Sequence, residues 1–216
     1  PYYFSYEYTK HSTQVELVSD VYEGVDSASI HLTKFPREDD TAYGDRQSKA
    51  TLKNFVKRIA TSTRNILLNK PPVVNVVPAI EPLLNKIDKK QSVEAFVQEL
   101  ALYQLLDGFV YVVVDAPVID ETIQTRSDEQ RLSINPYMYI VRRNNVVNWK
   151  LKEDGTFARL TIREAYEKRE GRYDSDYGEQ YRTYFEDGTV EVWRDSALVE
   201  TIQLGINRVP VVKVGK

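Results

Sequence analysis

The chain has no cysteine, two histidines and one methionine in 216 residues. Without cysteine there are no disulfides, thiolate metal sites or cysteine nucleophiles, and His11 and His31 alone leave little from which to assemble an imidazole site. Positive charge is not in excess either. Twenty-nine lysines and arginines face 32 aspartates and glutamates, for a net charge of −3. No overall field draws such a chain to nucleic acid, so any contact with DNA must come from a local patch or from geometry. Long hydrophobic runs are missing too. The longest, "FVYVVV" at 109–114 and "VVNVV" at 73–77, fall far short of the roughly 20 residues that span a bilayer. No signal-peptide pattern is visible. These absences predict an intracellular protein without cofactor, metal or membrane span. The start at Pro1 rather than at methionine predicts a piece of something longer.

What is present is a hydrophobic content of 42%, enough for a substantial core. In "STQVELVSDVYEG", Val15, Val18, Val21 and Tyr22 recur at helical spacing before Gly24, predicting a helix over 12–23. Residues 25–45 collect Pro, Asp and Gly and read as an exposed loop. From 46 to 69, Leu52, Phe55, Val56, Ile59, Ile66 and Leu67 mark the apolar face of a long amphipathic helix that Pro71 and Pro72 end. "VVNVV" reads as a strand at 73–77. A small helix is expected at 79–88, from Ile80, Leu83, Leu84 and Ile87. Ser92 is placed to cap a helix whose core face is Val93, Phe96, Val97 and Leu100, and Gly108 supplies its left-handed stop. The strand 109–115 follows. Its unbroken apolar character predicts cover on both faces, as for an interior strand.

The second half changes character. After a polar loop at 118–134, the segments "PYMYIV", "NVVNWK", "TFARLTI", "QYRTYF", "TVEVW", "LVETIQL" and "VPVVKV" are strand-like. "EDGT" punctuates them at 153–156 and 186–189, and Asp-Gly predicts tight type I′ hairpins there. The pattern is α+β: a helix-rich portion at 1–117 packed with a short buried sheet, then an antiparallel β-meander at 135–216.

Candidate chemistry is sparse. Asp115 ends a hydrophobic strand, as the acidic residue of nucleotide triphosphatases does, but no GxxxxGK[ST] loop accompanies it. The simpler reading is that Asp115 and Pro117 stop a strand and begin a loop. Asp174, Asp176 and Glu179 lack the spacing of a calcium loop. Neither histidine has an HxxxH or HExxH neighbour. Tyr166, Arg169, Arg172, Tyr173, Tyr177, Tyr181, Arg182 and Tyr184 interleave aromatic and basic groups as a base-stacking sheet would. Glu164, Glu167, Glu170, Asp174, Asp176 and Glu179 interrupt them, and cross-strand aromatic pairs or subunit-interface anchors explain them as well. The residues thus assign no catalytic, cofactor, metal or DNA-contacting group.

The order of segments carries a resemblance. "SDVYEGVDSASIHLTKFPRED", the helix ending "ATSTRNILLNKPPVVNV", "SVEAFVQELALYQLLDGFVYVVVDAP", "PYMYIVRRNNVVNW" and "INRVPVVKVGK" together resemble the portal proteins of tailed bacteriophages. They are most similar to the portal-like family catalogued as a domain of unknown function. The resemblance implies a non-enzymatic virion protein at the unique portal vertex, present in host cytoplasm during assembly. It implies a dodecameric ring and head-tail connector that serves as conduit for DNA packaging and ejection. Partners would be neighbouring subunits, the major capsid protein, a head-tail adaptor, the terminase and the double-stranded DNA in the channel. This chain would be the wing. The stem, clip and crown regions, which meet terminase and DNA, are expected to lie outside it, so no DNA-contacting residue carries over. A mildly acidic body suits a conduit that DNA slides through. Two alternatives stand beside this reading: a nucleic-acid-processing or binding domain with Asp115 as an acid, and a head-tail adaptor.

Overall fold

The computed structural model describes all residues except 1–3, 25–28, 52, 79, 85–86, 88–90, 117–134, 170–174 and 216. Among the described residues the chain is α+β, with helices in front and antiparallel sheets behind. The α-helices are α1 (Tyr6–Glu23), α2 (Asp40–Ser48), α3 (Phe55–Leu67), α4 (Glu81–Leu84) and α5 (Val93–Asp107). The strands are β1 (Phe109–Asp115), β2 (Tyr137–Arg142), β3 (Val146–Leu151), β4 (Phe157–Arg169), β5 (Ser175–Phe185), β6 (Thr189–Arg194), β7 (Ala197–Gln203) and β8 (Val211–Gly215).

β1 is the hub. It lies in the middle of a three-stranded sheet ordered β2-β1-β8, antiparallel to both neighbours. Alternating side chains of a strand point to opposite faces, and here each face meets its own apolar cluster. Tyr111 and Val113 join Val141, Val146, Leu160, Ile162, Tyr184 and Val190 in a cluster shared with the second sheet. Val112 points the other way, toward Ile87 and Phe96 beneath α5. The molecule is therefore layered as helices, small sheet and large sheet, and the expected cover on both faces of β1 is observed. The large sheet is a plain meander ordered β3-β4-β5-β6-β7.

The helix termini follow the predicted chemistry in part. Ser92 Oγ accepts from Ala95 N, and Gly108, at φ 81°, donates its N–H to Gln104 O as α5 ends. α1 begins earlier than its apolar spacing predicts, at Tyr6, because Ser5 accepts from Tyr8 N and so caps the aromatic stretch before the periodic residues. The expected loop at 25–45 instead contains the start of α2, capped by Asp39, whose side chain accepts from Ala42 N. α2 has no buried residue, so it leaves no hydrophobic period to read. The helix expected over 46–69 is confined to Phe55–Leu67, with Asn54 accepting from Lys57 N. Of the helix expected at 79–88, the turn Glu81–Leu84 is present, and the positions 79, 85, 86 and 88 lie outside the described residues.

Two expectations fail outright. Residues 73–77 form no strand: they run without hydrogen-bonded secondary structure, and Val73 is 88% exposed. The apolar face of α3 is not its core face either. The buried residue is Ala60, while Phe55, Ile59, Ile66 and Leu67 are 59–73% exposed; Leu52 lies outside the described residues. The hairpin turns need a smaller correction. Both EDGT hairpins form, but only Gly155 and Gly188 have positive φ, and Asp154 and Asp187 do not. Each carboxylate instead accepts the N–H of the threonine two residues on, so a turn with glycine at its left-handed position replaces type I′. The pair with positive φ at both positions is Asp195-Ser196, between β6 and β7, where no glycine signals it.

One local clasp gives a pH prediction. Arg46 of α2 donates from Nε and Nη2 to the two Glu38 oxygens at 2.9 and 2.8 Å, and to Thr33 O, while its guanidinium lies 4.4 Å from the Phe35 ring centroid. The Arg46 hydrogen bonds, with help from Phe35 N–H, hold the Glu38 carboxyl at about 2, well below its ordinary 4.5. A depressed carboxylate stabilises above its unfolded value and loses that contribution as pH falls toward the folded one. Amide exchange in residues 29–48 is expected to accelerate as pH drops from 4.5 toward 2, after correction for intrinsic rates. Equal protection across that window would contradict the assignment.

Candidate functional surface

Asp115 sits at the end of β1, tied down on both oxygens. Oδ1 accepts from Ala116 N at 2.8 Å and Oδ2 from the Tyr137 hydroxyl at 3.1 Å. The carboxylate thus folds back on its own backbone and on the facing residue of β2, which is how an aspartate stops a strand. Pro117 lies outside the described residues. His31 Nε2 pairs with Asp20 Oδ2 at 2.5 Å, joining the short 3-10 turn Ser29–His31 to α1. His11 lines a cavity of about 60 Å³ with Tyr8, Val15 and Trp149. Asp174 is outside the described residues; Asp176 accepts from Tyr177 N, and Glu179 from the Tyr181 hydroxyl. No group of three or more potential metal ligands occurs among the described residues. Nor is any described helix long and apolar enough to cross a membrane.

The interleaved tyrosines and arginines do not form an open stacking platform. Tyr181 and Tyr184 are buried, Tyr184 beneath the sheet interface with its hydroxyl 3.1 Å from that of Tyr139. Tyr166 opposes Gly178 across the β4–β5 ladder, and a β-carbon on that glycine would fall 2.6 Å from the ring. The Arg194 guanidinium stacks on the same ring at 4.3 Å. Arg182 Nε and Gln180 Nε2 both donate to Glu164, and Gln180 in turn accepts from Arg194 Nε. The polar side chains therefore satisfy one another across strands, which stiffens the sheet. Tyr177 remains 71% exposed. Arg172 and Tyr173 lie outside the described residues, and so does the Arg169 side chain.

Two further features were not among the candidate residues. The first is a clasp between helix and sheet. Arg142 of β2 donates from Nε and Nη2 to Asp107 at 2.9 and 2.6 Å, its guanidinium 5.0 Å from the Tyr103 ring, and Arg143 Nη1 reaches Asp107 O. The Asp107 side chain has 0% exposure. Its sequence signal is faint: an acid that closes the helix directly before Gly108. The second is a groove of about 850 Å³ that wraps β8 and is walled by Val114, Leu151, Phe157, Ile206 and Val212. Its charged lining residues are Asp115, Lys152, Arg208 and Lys213.

Apolar exposure is the dominant property of this surface. Beyond the α3 face, Val74, Val76, Val77 and Ile80 are exposed, and so are Val114, Leu151, Ile206 and Val212 around the groove. Patches of this kind mark surfaces that meet another macromolecule. No protein-family model matches the chain, and no curated protein matches it.

Proposed function

We propose that this chain is the wing, the outer α+β body, of a tailed-bacteriophage portal subunit, a non-enzymatic part of the ring through which DNA is packaged and ejected. The ordered segments that resemble the portal-like family support this, and so does an architecture of the expected class. The observation that carries it is the exposed apolar surface of α3 with Val73, Val74, Val76, Val77 and Ile80. A ring subunit presents two different faces to two neighbours and keeps each apolar until assembly. In this reading the capsid shell, head-tail adaptor and terminase are partners of the assembled vertex, and DNA passes without a residue of this chain assigned to it.

The test is the assembly state of the full-length protein. Electron-microscopic class averages are expected to show closed rings of about a dozen subunits, the symmetry that heterologous interfaces reach when they close. Monomers or dimers alone at high concentration would overturn the reading.

A further inference from the structure

We infer that Asp154 and Gly155 form a site of spontaneous isoaspartate formation, and that the twin pair Asp187 and Gly188 is held out of the same reaction by the end of β7. The sequence "EDGT" occurs at both 153–156 and 186–189, so the local sequence alone makes the two sites equal. Glycine is the least hindered residue to follow the aspartate, because no side chain crowds its amide. In the reaction the Gly155 nitrogen attacks the carboxyl carbon of the Asp154 side chain. A carbon–nitrogen bond forms, the amide proton and the carboxyl hydroxyl leave together as water, and a five-membered succinimide results. Water then opens the ring. Addition at the side-chain carbonyl restores aspartate, whereas addition at the main-chain carbonyl leaves the chain running through the side-chain carbon, with a free α-carboxylate. Neither oxidant nor reductant takes part.

Within each turn the chemistry is matched. Gly155 N donates to Lys152 O at 3.1 Å and Gly188 N to Phe185 O at 3.2 Å. The two glycines have φ of 81° and 83°. The Thr156 hydroxyl and N–H lower the Asp154 pKa, and the Thr189 N–H and hydroxyl lower that of Asp187. A carboxylate is a poor electrophile, so both sites react faster as pH falls toward the carboxyl range.

The surroundings of the two turns differ. Attack requires the peptide plane between aspartate and glycine to rotate, and so depends on what holds that plane. Between β3 and β4 only the turn itself does. Gly155 is exposed, a β-carbon there would meet no atom within 4 Å, and neither the Asp154 nor the Gly155 carbonyl accepts a hydrogen bond among the described residues. Between β5 and β6, Gly188 is buried. Its carbonyl accepts from Leu204 N at 2.8 Å, and the Asp187 carbonyl accepts from Gln203 Nε2 at 2.9 Å. Gln203 Oε1 is itself held by the Thr189 hydroxyl at 3.2 Å. A β-carbon on Gly188 would collide with the Ile206 and Leu204 carbonyl oxygens. Rotation there must break both carbonyl bonds in a space already filled, whereas at Asp154 it breaks only the bond of the turn. Gly155 and Thr156 also line the groove around β8, so the product, which lengthens the main chain by a carbon, alters that wall.

The test incubates the full chain in heavy-oxygen water at mildly acidic pH, once folded and once in urea. After digestion, mass spectrometry reads solvent oxygen in the two EDGT peptides, and retention against synthetic isoaspartyl standards identifies the product. The readout is the folded-to-urea ratio of isoaspartate at each site, in which the effect of flanking residues cancels. That ratio is expected to be several times larger at Asp154 than at Asp187. Equal ratios, or an Asp154 as inert in the fold as Asp187, would overturn the inference. Gln203→Ala, at an exposed position, is expected to raise the Asp187 yield several-fold and leave Asp154 unchanged. An unmoved Asp187 would overturn the part given to β7. Asp154→Glu, for which the ring would need six members, is expected to lose the label from its turn with an unaltered melting curve. Label persisting in that turn would place the reaction elsewhere and overturn the assignment to Asp154.

Discussion

Replacing Arg142 by alanine is expected to cost about 3–5 kcal/mol of folding stability, the usual consequence of stranding a buried charge. Asp107 closes α5 with no side-chain exposure, and Arg142 answers it through a two-pronged hydrogen bond from the neighbouring strand. Those bonds raise the Arg142 pKa above its ordinary value, so the guanidinium is charged throughout the range in which the fold is studied. Removing it leaves a carboxylate that neither water nor another cation reaches in the same way. Arg142→Lys restores charge but not the planar fork, and is expected to recover part of the loss. Replacing both residues by leucine, which removes the charges together, is expected to cost less than Arg142→Ala alone. Urea unfolding of the four proteins decides the matter. A midpoint for Arg142→Ala equal to that of the parent would show that the clasp contributes nothing.

The clasp also illustrates where sequence reasoning stops. Its partners are 35 residues apart, and nothing local in "LLDG" or "YIVRR" couples them. β1, by contrast, was legible, because an interior strand must be apolar on both faces and its helix must end on a residue that tolerates positive φ, as Gly108 does. The meander strands were legible for a similar reason: each is a β-branched or aromatic run between turn residues. Pattern fails where burial and composition part company. "VVNVV" has strand chemistry without a strand partner among the described residues, and the apolar stripe of α3 has helical period yet is largely exposed. In both places periodicity alone does not distinguish a buried face from an exposed one. The groove around β8 was invisible for another reason: it is assembled from β1, the β3–β4 turn and the approach to β8, which only the fold brings together.

Alkaline solution is expected to unfold this protein from its sheet interface. Burial pushes the Tyr111 hydroxyl up to about 12 and, with the neighbouring Asp115 charge, does the same to Tyr137. Burial raises Tyr139 and Tyr184, which share a hydrogen bond between the two sheets, still further. A group whose folded pKa is raised keeps its proton in the native state while the unfolded chain releases it. Stability is then full below the unfolded value near 10 and falls as pH rises beyond it, at up to about 1.4 kcal/mol per pH unit for each such group. Tyr111 and Tyr184 are 3% and 1% exposed, so these two alone remove about 3 kcal/mol by about pH 11. The rise in tyrosinate absorbance is expected to include a late, cooperative step from these buried tyrosines, together with loss of the near-ultraviolet circular dichroism of the core. Tyr184→Phe gives up the inter-sheet hydrogen bond at neutral pH but removes one ionisation, so its stability should decline less steeply between about pH 10 and pH 11. The same slope in both proteins would mean that Tyr184 already ionises within the fold, and that the contact between the two sheets is open to water.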